Sequence, residues 1–247
     1  MSTKNQKKAL LQKRIPTLAG IAVLVISLVA GLLLFGQGTG VFAPRASETA
    51  TPKSVHLTNI TESSFTVSFI TDEAAVGFVQ YGVSETKMTS QASDDRVQLS
   101  GMAEEYTTHH ITVRGLEANT TYYYVLGTGS EQTTFDNQGA AFSVTTASQL
   151  DTTPEATMIY GNLYNQAGAA AEGSIVYLTM NEAKPLSALV RNTGGWGISL
   201  ATARNSSGTG FASFDDNTNI NLFFQGLDAT TTLNYQVAVA DAQPVTD

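Results

Sequence analysis

Apolar and polar residues follow two different rhythms along the 247-residue chain, and the change between them divides it. Leu18 to Phe35 (LAGIAVLVISLVAGLLLF) is a run of eighteen residues without a charge. As a helix it measures about 27 Å at about 1.5 Å per residue, close to a hydrocarbon core of about 30 Å. Ile15 to Thr17 extend it, with Pro16 tolerated in a first turn. The run predicts one membrane-spanning helix over residues 15–36. Farther along, the period falls to two. Phe65, Val67 and Phe69 alternate with Thr66 and Ser68, as in a half-buried strand, and Val79 and Tyr81 continue the pattern before Gly82. Ile111 and Val113 alternate with His110, Thr112 and Arg114. Tyr122, Tyr124 and Leu126 share one face, Tyr123 and Val125 the other, and Phe142 and Val144 close the series. Seven or so short strands in roughly 95 residues, with turn residues between them, are the signature of a β-sandwich. A second β-rich unit runs from Ile159 to about Asp241.

Linkers separate these units: a Gly-, Thr-, Ala- and Pro-rich stretch over 37–53, and the Thr-rich stretch over 148–157. The expected fold class is mainly β, an N-terminal single transmembrane helix followed by two tandem immunoglobulin-like β-sandwich domains. The segments are 1–14 (basic, cytoplasmic), 15–36 (span), 37–53 (linker), 54–147 (first sandwich), 148–157 (linker) and 158–247 (second sandwich).

Charge turns this layout into an address. The net charge of −8 conceals a division: Lys4, Lys7, Lys8, Lys13 and Arg14 precede the span with no acid among them, while eight bases and 21 acids follow, a balance of −13. Basic residues before the span place the N-terminus in the cytoplasm and export the remainder. A cleaved signal peptide is the alternative, but its apolar region is usually shorter, about 7–15 residues. Val41-Phe42-Ala43 precedes Pro44, a poor neighbour for cleavage, and a site after Ala46 stays open. A pilin-type leader lacks its glycine, aromatic and glutamate. Only 14% of residues are charged, against about 25% in ordinary soluble domains, which excludes a coiled coil or a charge-rich disordered tail. The acidic balance excludes nucleic acid as a partner, since phosphate binding needs a basic face. With no cysteine, zinc-finger, thiol-protease and disulfide chemistry are also excluded. The Asn-x-Ser/Thr matches at Asn59, Asn119 and Asn205 matter only in a eukaryotic secretory pathway, and the chain reads as bacterial.

The segment Gly115-Leu116-Glu117-Ala118-Asn119-Thr120-Thr121-Tyr122 resembles the Leu-x-Pro-x-Thr-x-Tyr element of fibronectin type III domains, with Ala118 in place of proline. The resemblance implies a tyrosine corner at Tyr122. Asn59-Ile60-Thr61, Ser64 to Asp72 (SFTVSFITD) and Val79-Gln80-Tyr81-Gly82 resemble the sandwich that precedes the catalytic domain of purple acid phosphatases, with Phe69 where tryptophan is usual. Phosphatase activity does not follow: His56, His109 and His110 are the only histidines, and two-metal hydrolysis needs several convergent ligands. In the second unit, Gly161 to Gly168, Glu172 to Leu178 and Gly194 to Leu200 are similar to carboxypeptidase-regulatory-like or Cna-B-like modules, which are transthyretin-like sandwiches.

Candidate chemistry is sparse. Adjacent strand residues His109 and His110 point to opposite faces and cannot easily chelate one metal. Asp94-Asp95 and Asp215-Asp216-Asn217-Thr218-Asn219 are oxygen-rich loops without calcium-loop spacing, read as turn chemistry. Trp196 reads as core before carbohydrate surface. Gly127-Thr128-Gly129 and Gly208-Thr209-Gly210 lack the lysine and helix of a phosphate cradle and read as turns. So few histidines suggest no Ser/His/Asp set. No catalytic, metal or cofactor residue is expected. The chain is expected to be a non-catalytic, single-pass cell-surface protein for adhesion, surface architecture or protein/glycan binding. It would contact the lipid bilayer through residues 15–36 and an extracellular protein or glycan through its sandwiches. The alternative is an accessory binding subunit of an extracellular hydrolase carried on another chain.

Overall fold

The computed structural model describes residues 50–129, 132–152, 154–155, 157–226 and 232–239. The expected basic segment 1–14, the span 15–36 and residues 37–49 of the expected linker lie outside them, and the linker's last residue, Lys53, opens the first strand. Among the described residues no helix is long and apolar enough to cross a membrane.

The architecture is mainly β. In the first part β1 (Lys53–Thr58), β2 (Ser64–Ala75) and β5 (Tyr106–Arg114) form one antiparallel sheet in the order β1-β2-β5. The facing sheet runs β4 (Ser90–Ser93), β3 (Gly77–Gly82), β6 (Thr121–Thr128), β7 (Thr133–Phe135), with β8 (Phe142–Thr145) pairing the other end of β6. Alternation explains the packing: Phe65, Val67 and Phe69 of β2 and Ile111 and Val113 of β5 meet Val79, Tyr122, Tyr124 and Leu126 in one buried cluster. The Tyr122 hydroxyl accepts the Glu117 backbone N–H at 3.0 Å, which makes the expected corner.

In the second part β11 (Leu186–Leu189), β10 (Ile175–Met180), β13 (Asn219–Gln225) and β14 (Thr232–Ala238) form a four-stranded sheet in that order. It is joined by a two-stranded sheet of β12 (Gly195–Ser199) and β9 (Met158–Asn162). Ile159, Val176, Leu178, Trp196, Ile198 and Phe224 belong to its buried cluster. Trp196 lies edge-on to Phe224 with ring centroids 5.7 Å apart.

Three local readings change. Asp94-Asp95 is a helix start: Asp94 caps α1 (Asp95–Ser100), and Gly101 closes it at φ 73°. Gly127 and Thr128 lie within β6, leaving Gly129 as the turn residue at φ 79°. Gly127 pairs with Phe78 across the ladder, and a Cβ there would lie 2.0 Å from Phe78 Cζ, so the glycine makes room for the ring. The third change concerns the polar positions of β2 and β5. Thr66 and Ser68 are fully buried and His110 is 5% exposed, so these strands are covered on both faces. The covering layer is the β10–β11 side of the second sandwich: Tyr177 donates or accepts a hydrogen bond at 2.9 Å from Ser68 and its ring lies 4.5 Å from His56. Buried hydroxyls cost free energy unless hydrogen-bonded, so this face needs partners for each of them.

Candidate functional site

The polar face of β5 and the start of α1 build one connected network against the second sandwich. As the cap of α1, Asp94 aims its carboxylate back at its own helix and at β5. Its Oδ1 accepts from the Arg96 backbone N–H (3.0 Å) and Nε (2.8 Å). Its Oδ2 accepts from Arg96 Nη2 and the His110 backbone N–H, both at 3.0 Å. Arg96 also covers the Tyr106 ring at 3.4 Å and donates to the Thr108 carbonyl. Thr108 in turn donates to the Gly173 carbonyl of the second sandwich at 2.6 Å.

One residue on, Asp95 Oδ2 accepts from His110 Nδ1 at 2.7 Å and from the Thr112 hydroxyl at 2.8 Å. Burial alone would raise the Asp95 carboxyl, but His110, Thr112 and Arg114 together hold it below the usual carboxylate range. His110 Nε2 lies 2.9 Å from Ser187 Oγ on β11. Asp95, His110 and Ser187 therefore stand as orienter, base and hydroxyl, the arrangement of a nucleophilic triad. Sequence reasoning missed it because Ser187 is 77 positions from His110 and sits in no nucleophile motif.

The remaining partners define what this trio can do. Ser187 Oγ also meets Thr58 Oγ1 at 2.6 Å and Asn59 Nδ2 at 3.2 Å. With the His110 proton on Nδ1 alone, Thr58 and Asn59 donate to Ser187, Ser187 donates to His110 Nε2, and His110 Nδ1–H donates to Asp95. The Ser187 backbone N–H, a natural oxyanion donor, is taken by Asn59 Oδ1 at 2.9 Å, and its carbonyl accepts from Asn59 Nδ2 at 3.1 Å. Ser187 is 7% exposed. Its hydrogen-bonding positions are filled by neighbours, and the network joins two sheets.

The other sequence candidates lie apart. His109 faces the first core, its ring stacked on Phe69 at 4.5 Å. Asp215 accepts from the Asn217 backbone N–H and the Thr218 hydroxyl within an exposed turn. Asn205 organises the turn around Gly208 by accepting from the backbone N–H groups of Thr209 and Gly210. Among the described residues no three His, Asp or Glu side chains converge as a metal site.

The sheet order β1-β2-β5 against β4-β3-β6, the corner at Tyr122 and the buried alternate positions define the first part as a fibronectin III-like sandwich. In keeping with this, residues 52–146 match the family described as Purple acid Phosphatase, N-terminal domain. No curated protein matches the chain.

Proposed function

We propose that the chain is a non-catalytic, membrane-anchored cell-surface protein whose two sandwiches form one stiff binding module outside the membrane. The observation that carries this reading is the use made of Asp95, His110 and Ser187. Groups capable of acyl-transfer chemistry are spent as cement between two sheets, with the nucleophile and its would-be oxyanion donor both occupied. Function is left to the outer surfaces. The basic segment 1–14 and the span 15–36 supply the address, with the N-terminus in the cytoplasm. The second sandwich is of the transthyretin-like kind found in carboxypeptidase-regulatory-like and Cna-B-like modules.

Protease treatment of intact cells tests the reading. It should release a fragment containing residues 50–247 and leave the basic N-terminus protected. Full protection of the sandwiches, or a mature chain that begins near Ser47, counts against the anchor. The match of residues 52–146 to a phosphatase N-terminal domain favours a second reading, an accessory subunit of an extracellular hydrolase. In that case the detergent-solubilised chain should co-purify with an enzyme.

A further inference from the structure

We infer that a cleft at the junction of the two sandwiches, beside Lys184, binds a saccharide carrying a carboxylate, that is, a uronic acid unit. The inference rests on the reading of the chain as a binding protein and names its ligand class. The cleft encloses about 370 Å3, within the roughly 300–1,000 Å3 usual for small-molecule sites, which concentrate at such junctions. One wall comes from β8 and the residues after it, through Ser143, Thr145 and Ser148; the other comes from Lys184 and the Ser207–Thr209 turn. Ser148 N–H donates to the Gly208 carbonyl at 2.9 Å, which pins the walls together.

Charge selects the sign of the ligand. Lys184 is the one ionisable residue lining the cleft. It is half-buried, and among the described residues no carboxylate lies within ion-pair distance of it. In a segment that is otherwise strongly acidic, an ammonium left without a carboxylate is a receptor for one negative charge. A single ammonium balances the one charge of a carboxylate and leaves a phosphate dianion half compensated. Hydroxyls select the rest. Ser143 presents a rotatable O–H, and the Thr145 and Thr209 hydroxyls, hydrogen-bonded to Thr121 at 2.9 Å and to Ser207 at 2.7 Å, each keep one further hydrogen-bonding position for ring hydroxyls. Asn119 Oδ1 already accepts from Ser148 Oγ at 2.8 Å, so its Nδ2 keeps donors for the cleft. Leu57, which is half-buried, adds apolar surface for the C–H face of a sugar ring.

Calorimetry on the full chain in detergent micelles tests this. The probes are the trimers of galacturonate, glucuronate and mannuronate, the matching neutral trisaccharides, and a tri-aspartate peptide. At least one uronate trimer should bind tenfold or more tighter than its neutral counterpart and than the peptide. Lys184→Gln should weaken that binding tenfold or more with the unfolding midpoint unchanged, and Lys184→Arg should retain most of it. Equal binding of neutral sugar or peptide overturns the inference, as does failure of all three uronates or indifference to Lys184→Gln. A chain that binds glycan or protein through residues outside the cleft overturns this inference and leaves the binding-module reading standing. Hydrolysis of a trimer overturns the reading itself.

Discussion

His109 sets a pH limit on the first sandwich. Its imidazole is completely buried, stacked on Phe69, and so close to Gly77 that a Cβ there would lie 2.1 Å from Nδ1. Burial pushes its pKa from 6.5 down to about 4, against the opposing pull of Asp94. Because the folded value lies below the unfolded one, the unfolded chain takes up the proton first as pH falls. Stability is complete above about pH 6.5 and declines until about pH 4. At about 1.4 kcal/mol per pH unit, the loss between pH 7 and pH 4.5 is about 2 kcal/mol and the full loss about 3 kcal/mol. His109→Phe keeps a stacked ring and removes the titration. Guanidinium unfolding followed by far-ultraviolet circular dichroism at both pH values should show about 2 kcal/mol less acid sensitivity in the variant than in the wild type. His56, also lowered by burial, contributes to both proteins and cancels. Asp95 acts in a lower window, since its depressed carboxyl loses its contribution only below the ordinary 3.8. Equal acid sensitivity in variant and wild type would refute the argument.

Three further outcomes follow from named contacts. Gly127→Ala forces a methyl into the Phe78 ring and should cost about 1–3 kcal/mol, with Phe78→Leu in the double variant recovering part of the loss; additive losses in that cycle contradict the contact. Tyr122→Phe leaves the Glu117 N–H without its acceptor and should lower stability by about 1–3 kcal/mol, read as a shift in denaturation midpoint. Ser187→Ala strands His110 Nε2 and Thr58 Oγ1 at the sheet junction. It should cost about 1–3 kcal/mol and split calorimetric unfolding into two transitions; a single unchanged transition contradicts the cementing role.

Much of the first sandwich was legible because its core residues obey period two without exception from Phe65 to Phe69 and from Tyr122 to Leu126. The tyrosine corner was legible because its residues lie within one short segment. The polar network was not. Alternation says that Thr66, Ser68 and His110 share a face, but the same pattern serves a wet face and a face buried under hydrogen-bonding partners. A clue was present: Thr66, Ser68, His110 and Thr112, on the outward positions of β2 and β5, include no Lys, Asp or Glu. What covers that face, Tyr177 and Ser187, lies over a hundred residues from Ser68 and Thr58, and no local rule connects them. Helix α1 escaped for a different reason. Its six residues bury no side chain, so it leaves no apolar period, and only the capping Asp94 marks its start.

Asn59 has a meaning beyond the contacts it makes. β11 is the outermost strand of its sheet, so its outer N–H and C=O groups would otherwise be open to another chain. Held at φ 52°, Asn59 offers its carboxamide to both the N–H and the C=O of Ser187, while its backbone N–H takes the Pro185 carbonyl. One side chain thus imitates a neighbouring strand. Because Asn59 is synthesised more than a hundred residues before Ser187, the imitation is ready when β11 emerges. With that imitation removed, an isolated 158–247 fragment should stick to copies of itself along this edge, read as a sedimentation coefficient that rises with concentration.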